Sequence, residues 1–208
     1  MINNLEFATE PDPRYRAWVE IDPFVIESNT KIIKKLLVKN CLLMAVVKAD
    51  GYGHGAKTVA KASLQGGADY LGVATLEEGI ELRQAKFDCP ILVLGNLTTN
   101  YDLNTCLYWD LMPTISSLKE ALICQEIANT TKKKFFLHVK VDTGMTRLGC
   151  DLLQASALIN AIHRLPDLKL MGVYSHLALA DGDLHGESQI TTSLQHQRFQ
   201  TFLRSLPS

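Results

Sequence analysis

The chain has 208 residues, of which 47% are hydrophobic and 21% are charged, and this composition excludes a disordered or low-complexity protein. The 21 basic and 22 acidic residues give a formal net charge of −1, so the charge balance does not indicate nucleic acid as a partner. The five cysteines are odd in number and widely spaced, which favours reduced thiols over disulfides or a metal site. No apolar run approaches the roughly 18 residues of a membrane span and no signal peptide is visible, so we expect a cytoplasmic protein that does not enter a membrane.

The predicted elements start with an N-terminal segment, residues 1–15, that we expect to be flexible, and a short leading strand at residues 17–21. Asp22 and Pro23 then predict the start of a helix that extends to Leu37, because aspartate caps helices and proline suits the first helical position. Further strands are predicted at residues 42–47, 70–74, 91–94, 111–114, 135–141 and 170–175. Further helices are predicted at 56–65, 75–85, 117–129, 152–164 and 189–206, with a longer connection between 94 and 111. Thr75 to Glu78 form a capping-box pattern at the start of the helix at 75–85, and Ser117 begins the helix at 117–129.

This order of elements predicts an α/β fold. The strands are continuous apolar runs, which are typical of strands buried on both faces of a parallel sheet with helical crossovers. About six strand–helix units suit either an open doubly wound sheet or a (β/α)8 barrel. The glycines of residues 51–55 do not form a dinucleotide-binding fingerprint, so the barrel is favoured. We therefore predict one domain over residues 16–208, an incomplete TIM-type barrel with about six of eight units, because a complete barrel usually needs about 250 residues.

Unusual polar residues follow several of these strands, at the sheet edge where parallel folds place their active sites. Lys48 ends one apolar run and enters the glycine-rich loop 49–55, which lets the backbone and Tyr52 approach a ligand closely. A lysine at the end of a buried strand is placed to lose its charge by desolvation, and a neutral amine is the form that condenses with carbonyl groups. The plainer interpretation is a lysine that reaches from a strand end to solvent.

A second polar group follows the strand at 135–141. Arg147 offers a fork of N–H donors to a carboxylate or phenolate oxygen. Lys140 alternates with Val141 and is predicted to point into the barrel. The alternative for Asp142 and Arg147 is a salt bridge or a helix-cap pair within the loop.

A third strand ends in His176, which taken alone is more often a packed core histidine than a functional one. No metal-ligand spacing, serine nucleophile elbow or Walker loop is present in the sequence. We therefore expect no metal ion in the site.

Three strings of residues together resemble the alanine racemase family. VVKADGYGHG at residues 46–55 resembles the segment to which these enzymes attach pyridoxal 5'-phosphate, and KVDTGMTRLG at residues 140–149 resembles a second family motif. YSHLA at residues 174–178 resembles the later histidine strand, and residues 16–22 and 73–79 also fit, in the family's order. Two departures are Thr146, where glycine is commoner, and Ser175, where threonine is common; neither removes a functional group.

The resemblance implies an isomerase that interconverts L-alanine and D-alanine for peptidoglycan synthesis, with pyridoxal 5'-phosphate as cofactor. It implies that Lys48 holds the cofactor covalently and acts as a base on one face of the substrate Cα, and that Tyr52 hydrogen-bonds the cofactor phosphate. Arg147 would bind near the phenolic oxygen of the cofactor and the substrate carboxylate. Lys140 matches a position that is carbamylated in some members and orients the arginine, and His176 would lie beneath the pyridine side of the cofactor.

The family's chain is longer, which implies that these 208 residues are a fragment. The last two barrel strands and a C-terminal β domain would be absent, together with the tyrosine that serves as the opposite base across a homodimer interface. Three alternatives remain open: a barrel enzyme that acts on another amino acid, a non-catalytic protein that binds pyridoxal phosphate, and a remnant that folds poorly.

Overall fold

The computed structural model describes residues 17–182 and 186–206, so the prediction for residues 1–15 lies outside the described part. No helix among the described residues is both long enough and apolar enough to cross a membrane. The helices are α1 (Pro23–Leu36), α2 (Lys48–Gly53), α3 (Ala56–Gln65), α4 (Leu76–Gln84), α5 (Asn100–Tyr108), α6 (Leu118–Thr131), α7 (Leu152–His163) and α8 (Glu187–Ser205).

The strands form one parallel sheet whose neighbours follow in chain order. They are β1 (Met44–Val46), β2 (Tyr70–Val73), β3 (Ile91–Asn96), β4 (Met112–Ile115), β5 (Phe135–Asp142), β6 (Cys150–Asp151) and β7 (Leu168–Tyr174). β7 pairs with β5, and the two-residue β6 pairs with the end of β5. A doubly wound sheet reverses its strand order at a switch point, whereas a barrel adds each strand beside the previous one. The sequential order confirms the predicted incomplete barrel of six strand–helix units, in which β1 and β7 do not pair with each other in the described residues.

Side-chain caps explain where several helices begin. Asp22 Oδ1 accepts a hydrogen bond from Phe24 N at 2.8 Å, as predicted for the start of α1. Thr75 and Ser117 each form a capping box, in which the cap hydroxyl and a glutamate three residues later exchange hydrogen bonds with the backbone. These caps place the start of each helix directly after the end of a strand.

Alternate strand residues form the hydrophobic core against the helices. In β5 the odd-numbered residues from Phe135 to Val141 are fully buried in this core. Because side chains alternate along a strand, the even-numbered residues, including His138 and Lys140, lie on the opposite face, which is the barrel interior. The interior is partly open, since Phe136 on the same face is 40% exposed. The predicted inward direction of Lys140 is thus confirmed.

Two predicted features are wrong. Residues 17–21 form no strand, because an extended segment becomes a strand only by pairing, and none of the described strands pairs with it. The connection between 94 and 111 contains α5, capped by the Thr99 hydroxyl, which accepts from Asp102 N at 3.0 Å. Only Leu103 and Cys106 of this helix are buried, so its apolar spacing was too sparse to indicate a helix.

Candidate active site

The five candidate residues of the sequence meet at one cavity at the carboxyl ends of the strands. The cavity has a volume of about 450 Å³, within the range of small-molecule sites. Its lining includes Lys48, Tyr52, Lys140, Arg147 and His176, together with Met44, Val46, Ala74, Leu94, Gly95, Leu148, Tyr174 and Ser175. Residues separated by more than 120 positions in the chain are therefore neighbours around one space.

Lys48 opens a turn of left-handed helix. Residues 49–52 have φ between 51° and 61° and ψ between 36° and 51°. This conformation costs an L-residue roughly 1–2 kcal/mol, and glycine alone escapes the cost. Gly51 is buried, and a Cβ there would lie 2.7 Å from Val59 Cγ2, so this position requires glycine for space as well. Strained backbone of this kind persists only where its surroundings hold it in place.

Two carboxylates hold the left-handed turn. Asp50 Oδ1 accepts from Ala56 N at 2.7 Å and so connects the turn to the start of α3. Glu78 Oε1 accepts from Ala49 N at 2.7 Å, while its Oε2 accepts from Ala74 N at 2.7 Å. Glu78 thus joins the residue after Lys48 to the end of β2. The sequence indicated Glu78 only as part of a capping box, because a bond across 29 residues leaves no local pattern.

Lys48 and Tyr52 share the rim of the cavity. Lys48 Nζ lies 5.8 Å from the centroid of the Tyr52 ring, and Tyr52 is 60% exposed. Lys48 is half-buried, so the desolvation expected for a lysine at a buried strand end is only partial.

The end of β3 completes one wall. The register between β3 and β4 shifts between Val93 and Asn96, as is common beside active sites. Gly95 lies in this irregular stretch, and a Cβ there would lie 2.4 Å from Ala74 O. The ends of β2 and β3 can therefore approach this closely only with glycine at position 95.

Asp142 organises the loop after β5. Its Oδ1 accepts from Gly144 N at 2.9 Å and from Thr146 N at 3.1 Å. Burial alone would raise the pKa of this carboxyl, but the backbone hydrogen bonds and the charge of Lys140 lower the pKa overall. Asp142 and Arg147, both described, form no ion pair, so the alternative of a loop salt bridge is wrong. The Arg147 guanidinium has no hydrogen-bond acceptor among the described residues and lines the cavity.

Three cationic side chains line the cavity, and no carboxylate among the described residues does. Lys140 is 6% exposed, and burial, together with the charges of Arg147 and Lys48, lowers its pKa. Partial desolvation and the charges of the same three cations lower the pKa of His176. His176 is exposed at the rim, so its interpretation as a packed core histidine is wrong. This electrostatic arrangement favours a ligand with anionic oxygens.

Tyr174 is a lining residue that the sequence analysis did not single out. Thr114 Oγ1 donates to Val93 O at 2.7 Å, so the Tyr174 hydroxyl, 2.9 Å from Thr114 Oγ1, donates to Thr114. Burial raises the pKa of Tyr174 to about 12. The Tyr174 hydroxyl is therefore protonated, and its hydrogen is already donated to Thr114. The Tyr174 ring packs beside Lys140, whose Nζ lies 5.6 Å from the ring centroid.

Comparison with known proteins agrees with this geometry. The family profile described as "Alanine racemase, N-terminal domain" matches residues 21–208. An alanine racemase of Prochlorococcus marinus is 59% identical over 195 residues, which cover 94% of this chain and 50% of the relative. The chain spans about half the length of the curated relatives that it matches.

Two solved structures show the same arrangement of strands and helices. An alanine racemase of Clostridium difficile 630, in complex with cycloserine, superposes with a TM-score of 0.76 and 34% identity, over 88% of this chain and 50% of that one. A histidine racemase of Leuconostoc mesenteroides subsp. sake superposes with a TM-score of 0.80 and 25% identity, over 89% of this chain and 49% of that one.

Proposed function

The chain belongs to the alanine racemase family, whose N-terminal domain it matches, and from this premise we propose that it binds pyridoxal 5'-phosphate and serves the interconversion of L-alanine and D-alanine. The observation that carries the proposal is the meeting of Lys48, Tyr52, Lys140, Arg147 and His176 at one cavity. The proposal includes a cytoplasmic location, a homodimer as the working assembly and the supply of D-alanine for peptidoglycan.

The cavity suits this cofactor. The cofactor's phosphate and phenolic oxygen are anionic, and the cavity presents Lys48, Lys140 and Arg147 without a lining carboxylate among the described residues. Lys140 is the clearest sign, because the residue is 6% exposed and its amine, which lies over the Tyr174 ring, has no hydrogen-bond acceptor in the described part of the chain. A partly desolvated ammonium group is stabilised by an anionic partner, and an anionic group in the cavity would provide one.

When bound, pyridoxal phosphate supplies an aldehyde for a lysine amine and an electron sink that acidifies the substrate Cα–H. Lys48 Nζ is the amine that would hold the cofactor through its aldehyde, and, once the substrate amine has displaced it, the freed Lys48 amine would move the proton at Cα on the face that it occupies. The left-handed turn and its bond to Glu78 present this amine from a backbone held on two sides. A fixed backbone reduces the freedom that the amine loses when it reacts.

The remaining residues bind and orient. Tyr52 would donate its hydroxyl hydrogen to the phosphate, and the Arg147 guanidinium would hold a phenolic or carboxylate oxygen by charge-assisted hydrogen bonds. The lowered pKa of His176 favours a neutral ring, and the resemblance to the family implies that this ring would lie beneath the pyridine side of the cofactor. The lowered pKa of Lys140 increases the fraction of neutral amine, and this form would add carbon dioxide to give a carbamate with release of a proton, which would place an anion beside Arg147.

A second candidate function is racemisation of another amino acid. The histidine racemase superposes on this chain as well as the alanine racemase does, so the fold of this half does not choose between their substrates. The higher identity to alanine racemases favours alanine. A non-catalytic protein that binds the cofactor is the third possibility, and the experiments below separate all three.

The binding test adds pyridoxal phosphate to the purified 208-residue chain, follows the visible absorbance of the bound cofactor, reduces the adduct with borohydride and locates the modified lysine by mass spectrometry. We expect the label on Lys48 and its loss, with the absorbance, in Lys48→Ala. Lys61→Ala is the matched control, because Lys61 is an exposed lysine on α3, close in the chain, and should leave both signals unchanged. A label spread over surface lysines, unchanged in Lys48→Ala, would contradict the proposal.

The reaction test incubates the loaded chain with L-alanine or D-alanine in deuterium oxide and follows deuterium at Cα by NMR. A base on one face predicts exchange that depends on Lys48 and is faster for one enantiomer. Faster exchange of histidine than of alanine would favour the second candidate, and binding without exchange would favour the non-catalytic protein.

A further inference from the structure

A buried amide on α8 joins the two loops that carry Arg147 and His176. Gln195 is 2% exposed, and its Nε2 donates to His176 O at 3.0 Å and to Thr143 Oγ1 at 3.1 Å. Its Oε1 accepts from Ala178 N at 2.8 Å. The amide therefore spans from the loop after β5 to the loop after β7.

The orientation of this amide is fixed by its backbone partners. A carbonyl oxygen only accepts and an amide N–H only donates, so Nε2 must face His176 O and Oε1 must face Ala178 N. The second Nε2 hydrogen then points at Thr143 Oγ1. Thr143 consequently accepts a hydrogen bond from Gln195.

The Thr143 hydroxyl must in turn donate its own hydrogen in a hydrogen bond to another acceptor. Thr143 is 2% exposed, and a buried hydroxyl hydrogen without an acceptor is costly. The remaining partner of its oxygen among the described residues is Ser175 Oγ at 2.8 Å. The hydrogen bond between the two hydroxyls therefore runs from Thr143 to Ser175.

Ser175 is thereby left with a hydrogen to donate, and Ser175 lines the cavity with Lys48, Lys140 and Arg147. We propose that Ser175 is a ligand-binding residue whose hydroxyl donates to an anionic oxygen in this cavity, with Gln195 and Thr143 as positioning residues that set the direction of the donor. The ligand class is an anionic oxygen, either of a phosphate or of a phenolate. The inference rests on the proposed function only for the identity of the ligand, since the direction of the hydroxyls follows from the hydrogen bonds of the protein.

The decisive comparison is between Ser175→Thr and Ser175→Val, which have the same shape and differ in the hydroxyl. A hydrogen bond to a charged group is worth roughly 1.5–3 kcal/mol, so we expect the Kd for pyridoxal phosphate to be about 10- to 100-fold higher in Ser175→Val than in Ser175→Thr. The Kd for pyridoxal, which lacks the phosphate, is measured in parallel. A difference confined to pyridoxal phosphate identifies the phosphate as the acceptor, and an equal difference for both compounds identifies the phenolic oxygen.

The positioning role of Thr143 is tested by the same comparison of a variant that keeps the hydroxyl with one that lacks it. Thr143→Ser keeps the hydroxyl and should bind pyridoxal phosphate as the parent chain does. Thr143→Val removes the hydroxyl that directs Ser175, so we expect a Kd higher than that of Thr143→Ser but below that of Ser175→Val. Circular dichroism and the unfolding midpoint of each variant show whether the fold is retained. A Thr143→Val chain that is folded and binds as tightly as the parent would show that Thr143 does not set the direction of the Ser175 hydroxyl.

Inorganic phosphate is the second probe, because it separates this inference from the proposed function. If the parent chain binds phosphate but not pyridoxal phosphate, and Ser175→Val binds phosphate more weakly than Ser175→Thr, the cofactor assignment is wrong and the role of Ser175 stands. If the parent binds pyridoxal phosphate and the two variants at position 175 bind both probes equally, the role of Ser175 is wrong and the cofactor assignment stands. Failure of the parent to bind either probe would refute both.

Discussion

At the residue scale, Thr146 is held in a conformation that its side chain disfavours. Its φ is 58°, in the left-handed region, and a β-branched residue there is strained by roughly 1–2 kcal/mol. The bond that holds it runs from its backbone N–H to Asp142 Oδ1 and needs no particular side chain. The geometry gives a physical reason why glycine suits this position of the motif.

We predict that Thr146→Gly raises the free energy of unfolding by about 1 kcal/mol, because the relief of strain exceeds the extra entropy of glycine in the unfolded chain. Urea unfolding of the parent and the variant measures the change. Thr130→Gly, at an exposed position in the last turn of α6, is the matched control and should lower the free energy of unfolding by up to about 0.5 kcal/mol. A loss of stability in both variants would show that Thr146 is not strained.

Lys140 is a residue whose charge opposes folding in the unliganded chain. Burial lowers its pKa from the ordinary value of 10.5, so between the lowered pKa and 10.5 the unfolded chain binds more protons than the folded chain. The stability contributed by this group therefore rises with pH through that window and is lowest below it.

We predict that Lys140→Met raises the free energy of unfolding at pH 7 by about 1 kcal/mol, in the way that replacing a functional residue often stabilises a fold. The difference between variant and parent should shrink as the pH rises through this window and level off above 10.5, where the parent amine is mostly neutral in both states. Urea unfolding at several pH values measures this difference. A gap that stays constant with pH would indicate a packing effect without a contribution from charge.

At the scale of elements, Glu78 does more than cap α4. Its carboxylate accepts from Ala74 N and Thr75 N, as Glu120 does from Ser116 N and Ser117 N at the start of α6. The additional bond to Ala49 N distinguishes Glu78, because it attaches the strained turn of Lys48 to the end of β2. One helix cap thereby stabilises a second element.

We predict that Glu78→Ala lowers the free energy of unfolding by about 2 kcal/mol, since three backbone N–H groups lose their acceptor. Release of the turn should also slow the borohydride-trapped labelling of Lys48 by pyridoxal phosphate. Glu77→Ala, an exposed glutamate in the same first turn, should change stability by less than about 0.5 kcal/mol and leave labelling unchanged. Equal labelling rates in the two variants would exclude a positioning role for Glu78.

At the scale of the whole molecule, strand order and charge distribution create the site together. The sheet grows by one neighbouring strand at a time, so the carboxyl ends of β1, β2, β3, β5 and β7 all contribute lining residues to one cavity. The formal net charge is only −1, yet Lys48, Lys140 and Arg147 meet there. A balanced overall charge thus conceals a local concentration of positive charge that suits an anionic ligand.

The sequence by itself determined the parts that depend on local chemistry. The caps at Asp22, Thr75 and Ser117 and the apolar runs predicted most helices and strands, because a helix start or a buried strand is encoded within a few residues. The strings around Lys48, Arg147 and His176 carried the resemblance to the family and identified five lining residues of the cavity. Helix α5 was missed because its local pattern is weak.

Only the tertiary structure decided the contacts between distant segments. It placed Glu78 on Ala49, Gln195 between Thr143 and His176, and Ser175 in the cavity with a hydrogen to donate. It also showed that residues 17–21 form no leading strand, because this segment has no pairing partner among the described residues. A hydrogen bond across 19 to 52 residues depends on how the strands stack and which atoms then face each other, and no local spacing of residues encodes that.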